Sequence, residues 1–363
     1  MRLLFAGGGT GGHLYPGLAI ARAVQALRPE VRPFFIGARR GIEPEVLPAS
    51  GFPFALLDLH PLYRRAPWNN WRTAVGMVSA WRAIGRIVRE ERPALVVGTG
   101  GYAAVATLAY AAAHGLPLVE QTGDVLPSLT ARTFSRWARE IYLSFPESAK
   151  HFVARSPDAL VDTGAPIEPP PTPRPDRAAT LSKWGFPSDA LVVLVYGGSQ
   201  GAQAINHAVR DWVKGGLPPR VHLIWGTGRR AFDEFAGLEG TRVRVRAFLS
   251  PIADAYACTD VAVTRAGTMT LAELMAWHIP AVLVPLPTAA ADHQAINAAA
   301  LDRAGAAIHV AQASLTPGKL SATLVGLLGD ADRLASLRRA AAARARPNAA
   351  ADIARRVIAL LPR

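Results

Sequence analysis

The chain has 363 residues, 50% of them hydrophobic, with 40 lysines and arginines against 27 acids for a formal charge of +13 at pH 7. That length fills two domains rather than one, and the charge favours anionic partners such as phosphates, acidic membrane surfaces or nucleic acid. Cys258 is the single cysteine, which excludes an intramolecular disulfide and fits a reducing compartment.

The chain opens on a strand pattern, Leu3-Leu4-Phe5-Ala6, that runs straight into glycines, so we expect no secretory signal. The glycines form Gly7-Gly8-Gly9-Thr10-Gly11-Gly12-His13 and lead into a helical pattern over 13–27. Glycine suits such a turn because the backbone must bend tightly and admit a ligand without a Cβ in the way. The first amides of the following helix then point outward beside the positive end of its dipole, a ready anion site. Gly7, Gly9 and Gly12 also match the dinucleotide fingerprint G-x-G-x-x-G. A NAD site needs an acid after the second strand, and here the strand at 33–36 is followed by Gly37-Ala38-Arg39-Arg40, whose arginines leave only an NADP site open as a minor alternative. His13 is either a general base, a ligand for an anion, or a helix-start hydrogen-bonding group.

After a strand at 54–57 comes Leu62-Tyr63-Arg64-Arg65-Ala66-Pro67-Trp68-Asn69-Asn70-Trp71, entering a helix over 71–91. At roughly 100° per residue, Arg72, Arg82, Arg86 and Arg89 lie beside an apolar face of Val75, Val78, Trp81, Ile84 and Val88. Trp68, Trp71 and Trp81 among arginines suit an anionic membrane interface; the ordinary alternative is a helix whose apolar stripe is core. The strand at 94–97 ends in a second glycine turn, Gly98-Thr99-Gly100-Gly101-Tyr102, before a helix over 102–114. The apolar stretch 103–113 is too short to span a bilayer. Strands at 117–120 and 141–143 flank a helix over 127–137. This alternation predicts a parallel, doubly wound sheet.

The proline-rich segment 166–175 reads as a linker. The alternation then restarts, with strands at 191–196, 221–225, 243–247, 260–264, 281–285 and 306–310. A third glycine turn, Gly197-Gly198-Ser199-Gln200-Gly201-Ala202, follows the first of these. Thr264-Arg265-Ala266-Gly267-Thr268-Met269-Thr270-Leu271-Ala272-Glu273 is another strand end, turn and helix start, where Thr268 or Thr270 would cap the helix. Asp292-His293-Gln294 opens a further helix, with Asp292 as the expected cap. The tail at 349–361 is helical. Ligands of open parallel sheets bind beyond the carboxyl ends of the strands, so the default site is a cleft between two such domains.

Taken in order, Gly-Gly-Thr-Gly-Gly-His, Gly-Gly-Tyr, Gly-Gly-Ser-Gln-Gly-Ala, Arg-x-Gly-x-x-Thr-x-x-Glu and Asp-His-Gln-x-x-Asn-Ala resemble the motifs of the MurG family, the lipid I N-acetylglucosaminyltransferases of bacterial cell-wall synthesis. The resemblance implies a GT-B fold: two Rossmann-like α/β domains with parallel sheets facing across a cleft. The acceptor and membrane domain would span 1–165, with the C-terminal helix at about 346–363 packing back on it, and the UDP-GlcNAc domain would span 166–345. It implies inverting transfer of GlcNAc from UDP-GlcNAc to the C4 hydroxyl of undecaprenyl-linked lipid I. No cofactor, metal or nucleic acid is expected, and the location would be the cytoplasmic face of the bacterial membrane, peripherally bound.

By the same resemblance His13 is the candidate base, with Tyr102 and Glu120 as catalytic residues lining the acceptor side. Thr10, Gly11 and Gly12 would approach the sugar and the acceptor phosphates, and Thr122 joins the substrate-binding set. Ser199 and Gln200 would contact the nucleotide diphosphate with Thr268, Met269 and Thr270. Glu273 would bind ribose, Phe248 and Leu249 would lie against uracil, and His293 and Gln294 would read GlcNAc hydroxyls. Two motifs depart from the family. Val119-Glu120-Gln121-Thr122 stands for His-Glu-Gln-Asn, and Ala165-Pro166-Ile167-Glu168 stands for Asn-Pro-Val-Arg, with Arg229 or Arg265 as replacement cations. Alternative readings are another GT-B enzyme (a different acceptor, or a UDP-GlcNAc epimerase) and a non-catalytic UDP-sugar-binding protein.

Overall fold

The computed structural model describes every residue except Leu62, Arg64, Arg65, Ala66, Pro67, Asn69, Ser199 and Arg363. The chain divides into two compact units, Met1–Glu168 with Asn348–Arg363, and Pro169–Pro347.

The first unit holds β1 (Arg2–Gly7), β2 (Arg32–Ala38), β3 (Phe54–Leu57), β4 (Pro93–Gly100), β5 (Leu118–Thr122), β6 (Ala138–Leu143) and β7 (Leu160–Asp162). They form one seven-stranded sheet in the order β3-β2-β1-β4-β5-β6-β7. Every pairing is parallel. Covered on both faces, these strands are apolar almost throughout. Alternate residues serve opposite layers. Leu3, Phe5 and Val97 face Leu14, Leu18, Ile353 and Val357, whereas Leu4, Ala6 and Val96 face Ile84 and Leu108. Helix Ala349–Ala359 therefore packs beside helix Gly11–Leu27 in the first unit. It is pinned by a two-bond ion pair from Arg356 to Glu140 of β6, 2.8 Å for each bond.

The second unit holds β8 (Leu191–Tyr196), β9 (Val221–Gly226), β10 (Val243–Arg246), β11 (Val261–Thr264), β12 (Ala281–Leu283) and β13 (Ala307–His309). Their order, β10-β9-β8-β11-β12-β13, repeats the scheme of the first six strands of the other sheet. On one face Val193, Val195, Leu223 and Trp225 pack on Ile205, Val209 and Trp212 of helix Gln203–Lys214.

In both sheets the chain first builds outward on one side, then returns to the other side of its starting strand. The crossover falls between β1 and β4 in the first unit and between β8 and β11 in the second. In open parallel sheets ligands bind at such a switch point, beyond the carboxyl ends of the strands. All the glycine turns lie there. The predicted strands are present; β7, a short edge strand with one polar residue in three, was not foreseen. Among the described residues no helix is long and apolar enough to cross a membrane.

Candidate active site

In the first unit the turns after β1 and β4 are locked together. Gly7 pairs with Gly100 at the sheet's end, and Gly8 N donates to Gly100 O (3.3 Å). Thr99 Oγ1 donates to the backbone carbonyl of His13 (2.7 Å). The ring of His13 answers with Nδ1 against Thr99 O at 3.1 Å. A carbonyl only accepts, so Nδ1 carries a proton, and in the neutral tautomer this leaves the lone pair on Nε2. His13 sits in the first turn of helix Gly11–Leu27, whose N-cap, Thr10, gives no side-chain cap. His13 N and Leu14 N already reach Thr10 O (both 3.2 Å), so Gly11 and Gly12 supply the amides at the open helix end.

Two side chains brace this turn. Tyr102 lies against Gly9 and its hydroxyl donates to Arg40 O (2.6 Å), so its proton is committed to the backbone. Burial, and then the charge of Glu43, push the phenol above its ordinary range. Glu43, in a short helix after β2, is fully buried. Its Oε1 accepts from Gly9 N (2.8 Å) and Ala38 N (3.1 Å). A Cβ on Gly8 would collide with this carboxylate, which is the close approach that demands glycine there. Sequence reading missed Glu43.

Glu120 on β5 lies between Gly98 of β4 and Ile141 of β6. It is 2% exposed, and neither carboxyl oxygen has a hydrogen-bond partner among the described residues. Burial raises its pKa well above the ordinary carboxylate value, which favours the protonated form. Thr122, foreseen as a substrate contact, is buried at the strand end, where its carbonyl accepts from Ser144 N (3.1 Å) and Gln121 Nε2 (3.1 Å). Val119 is fully buried among apolar residues on the opposite face of β5. Glu168 is exposed.

In the second unit Tyr196, the last residue of β8, pairs with Thr264, the last of β11. The glycine turn that follows contains Gln200, which is exposed, whereas Ser199 lies outside the described residues. Gly201 has φ of +75° and lies so close to Thr227 O that any Cβ would strike it. Asn206, buried on the next helix, fastens this contact: its Nδ2 donates to Thr227 O (2.8 Å) and its Oδ1 accepts from Trp225 Nε1 (3.0 Å). Asn206 too was not foreseen.

Helix Thr268–Trp277 begins after β11. Its N-cap is Gly267 and no side chain caps it, so the expected capping by Thr268 or Thr270 is absent; Thr268 is already the first helical residue. Thr268, Met269 and Thr270 stand half-buried at this helix end. Asn297 Nδ2 reaches Ala266 O (3.3 Å) to hold the turn. Glu273 lies one turn in, and its Oε2 accepts from the Tyr256 hydroxyl (2.8 Å). Asp292 likewise does not cap helix His293–Arg303, because its left-handed backbone (φ 55°) carries the side chain away from the first amides. His293 Nδ1 is bonded to Ala290 O (2.8 Å), and Gln294 Oε1 accepts from Leu286 N (3.0 Å). These two bonds orient both side chains.

Phe248 is half-exposed with Arg229 over its ring at 5.5 Å. Leu249 is turned inward, where a Cβ on Gly226 would touch it, so only Phe248 of that pair offers an open side chain. Arg265 directs Nη1 to Val284 O and Pro285 O (both 3.0 Å), and burial lowers its pKa.

Helix Asn70–Glu91 buries Gly76, Ala80, Ile84 and Gly85. Trp68 (74%) and Trp71 (61%) are exposed, as are Val75 and Val78. Trp81 does not share that surface: its ring packs edge-on against Tyr110 (5.0 Å) and lies 5.7 Å from His114. The small residues let the helix approach the sheet closely and draw Trp81 inward. An open concavity on this helix is lined by Val75, Val78, Ser79, Arg82 and Arg86.

Comparison with known proteins adds to this geometry. Residues 3–143 match the glycosyltransferase family 28 N-terminal domain and residues 192–357 its C-terminal domain. The chain is 41% identical to the UDP-N-acetylglucosamine–N-acetylmuramyl-(pentapeptide) pyrophosphoryl-undecaprenol N-acetylglucosamine transferase of Salinibacter ruber, over 99% of this chain and 97% of that one. It is 38% identical to the Chlorobaculum parvum protein of the same name, over 99% of each. Among solved structures it resembles Acinetobacter baumannii MurG, with a TM-score of 0.79 and 26% identity over 99% of each chain. CalG4, the calicheamicin glycosyltransferase, shares the fold at 17% identity, with a TM-score of 0.68 over 99% of this chain and 98% of that one.

Proposed function

This chain belongs to the MurG family of glycosyltransferases, and from that premise we propose how its residues divide the work. It transfers GlcNAc from UDP-GlcNAc to lipid I, forming lipid II, within a GT-B fold. The first unit handles the acceptor and the second the nucleotide sugar.

The observation that carries the mechanism is the bond between His13 Nδ1 and Thr99 O. It supports His13 as the base, because the lone pair on Nε2 lies on the ring edge opposite the anchored nitrogen. In this reading Nε2 takes the proton of the muramoyl C4 hydroxyl as its oxygen attacks C1 of GlcNAc. The C1–oxygen bond to UDP breaks with inversion, and the electron pair leaves on the diphosphate. The amides of Gly11 and Gly12 receive the acceptor phosphates. In the second unit the uncapped start of helix Thr268–Trp277, with Gln200 and Thr270, stabilises the departing diphosphate through fixed dipoles, so no metal is invoked. Glu273 binds ribose, Phe248 with Arg229 flanks uracil, and Gln294 with His293 reads the sugar. Tyr102 braces the first glycine turn, and Glu120 is the buried carboxyl of the acceptor side.

The exposed Trp68, Trp71, Val75 and Val78 beside Arg72, Arg82 and Arg86 support peripheral docking on an anionic membrane at its cytoplasmic face.

The product tests this reading. Incubation with UDP-GlcNAc and a short-chain lipid I analogue should give a disaccharide with a β bond to the muramoyl O4 by NMR. An α bond, a bond to another hydroxyl, or conversion of UDP-GlcNAc to its 2-epimer without transfer would overturn it.

A further inference from the structure

Glu273 is held by a chain of hydroxyls that the reaction itself does not use. Tyr256 Oη lies 2.8 Å from Glu273 Oε2 and 2.9 Å from Tyr196 Oη. The Tyr256 hydroxyl donates to Glu273, so its proton points at the carboxylate. The Tyr196 hydroxyl must then donate to Tyr256. Both tyrosines are buried, with ring centroids 6.3 Å apart at 62°, and Trp277 closes the other side of Tyr256 at 5.7 Å. Phenylalanine would fill the same space without placing two hydroxyls away from water, where each costs free energy unless bonded. The Tyr256 hydroxyl is satisfied between the carboxylate and the Tyr196 hydroxyl.

The chain of bonds also joins two parts of the site. Tyr196 ends β8 immediately before the third glycine turn, and Glu273 stands on the helix that follows β11. Tyr256 comes from the short helix Ala253–Tyr256 that precedes β11. A glutamate one turn into a helix has several rotamers when half-exposed. Fixing one oxygen sets the plane and direction of the other before a ligand arrives, which reduces the ordering cost of binding.

Resting on the reading that Glu273 binds the ribose, we propose that Tyr256, backed by Tyr196, is a positioning residue that orients the Glu273 carboxylate toward the two ribose hydroxyls of the nucleotide sugar.

Tyr256→Phe tests it, because only the hydroxyl is lost. KM for UDP-GlcNAc should rise about five- to tenfold, the effect of losing one charge-assisted hydrogen bond. The KM for a lipid I analogue and kcat should stay within about twofold, since those contacts lie elsewhere. In a Glu273→Ala background the same substitution should change the UDP-GlcNAc KM less than about twofold, because the two act as one unit. Tyr196→Phe should move KM in the same direction by less, which gives a second reading should Tyr256→Phe fold poorly. Losses that multiply in the double variant, or that fall equally on both substrates, would overturn the proposal and leave a packing role. If Glu273→Ala raises KM while neither tyrosine variant does, the positioning role falls and the ribose assignment stands. If Glu273→Ala leaves KM unchanged, both fall.

Discussion

Glu120 and Glu43 are both buried carboxyl groups, and their surroundings send them to opposite tasks. Glu43 is met by two backbone amides and works as an acceptor that holds the first glycine turn. Glu120 meets no donor among the described residues, so loss of water dominates and pushes its pKa up. An acid whose folded pKa is raised costs stability as pH climbs past its ordinary value of 4.5, and the cost grows until the folded pKa is passed. Glu120→Gln has the shape of the neutral acid and no titration. Its melting temperature relative to wild type should therefore improve as pH rises above about 4.5; a gap independent of pH would show that burial does not raise the Glu120 pKa. His13 was legible in the sequence because it directly follows a glycine run after a strand. Glu43 was not, since its contact with Gly9 exists only once β1 and β2 are paired, and nothing adjacent in the chain marks it. Asn206 is the same case, a buried amide whose partners Thr227 and Trp225 come from the neighbouring strand β9 and its loop.

The strands were legible because each is a short, nearly unbroken apolar run between polar or glycine segments, as burial on both faces requires. Helix ends were harder. Thr268 and Asp292 have capping side chains, but a cap also needs an extended backbone at the right residue, and that is set by the incoming loop. The face of helix Asn70–Glu91 was misjudged for a related reason. Bulk marked Val75, Val78, Trp81, Ile84 and Val88 as one stripe, yet the buried line runs through Gly76, Ala80 and Ile84, spaced four residues apart. A Cβ on Gly76 would press on the carbonyl of Asp58, so the helix lies too close for large side chains there and turns Val75 and Val78 outward. That surface carries a prediction at the scale of the helix. Trp71→Ser with Val75→Ser should weaken sedimentation with vesicles containing anionic lipid by about tenfold, given the apolar area removed. Wild-type binding should also fall as salt rises. Unchanged sedimentation would contradict docking through this helix.

Across the whole molecule, the net charge of +13 already discounts the ion pairs, and several arginines are committed to partners within the fold. Arg174 is spent on the carbonyls of Ala276 and Trp277, Arg177 and Arg338 on Asp260, and Arg356 on Glu140. Backbone amides at helix starts are the proposed diphosphate ligands, and the glycine turns before them were readable in the sequence. The division into two units of like topology was readable too, from the proline-rich segment and the restarted alternation. Which buried residues brace each site was not, because bracing joins positions far apart in sequence.

His13 as the base for GlcNAc transfer to lipid I is the core of the proposed mechanism. It is tested most directly by transfer of labelled GlcNAc to a lipid I analogue by wild type and His13→Ala, with UDP-GlcNAc affinity measured alongside. Loss of one general base should lower kcat by about 10²- to 10⁴-fold while affinity for UDP-GlcNAc is retained. Transfer at the wild-type rate by His13→Ala would remove His13 from the chemistry, and a wild-type protein that binds UDP-GlcNAc but transfers nothing would contradict the account as a whole.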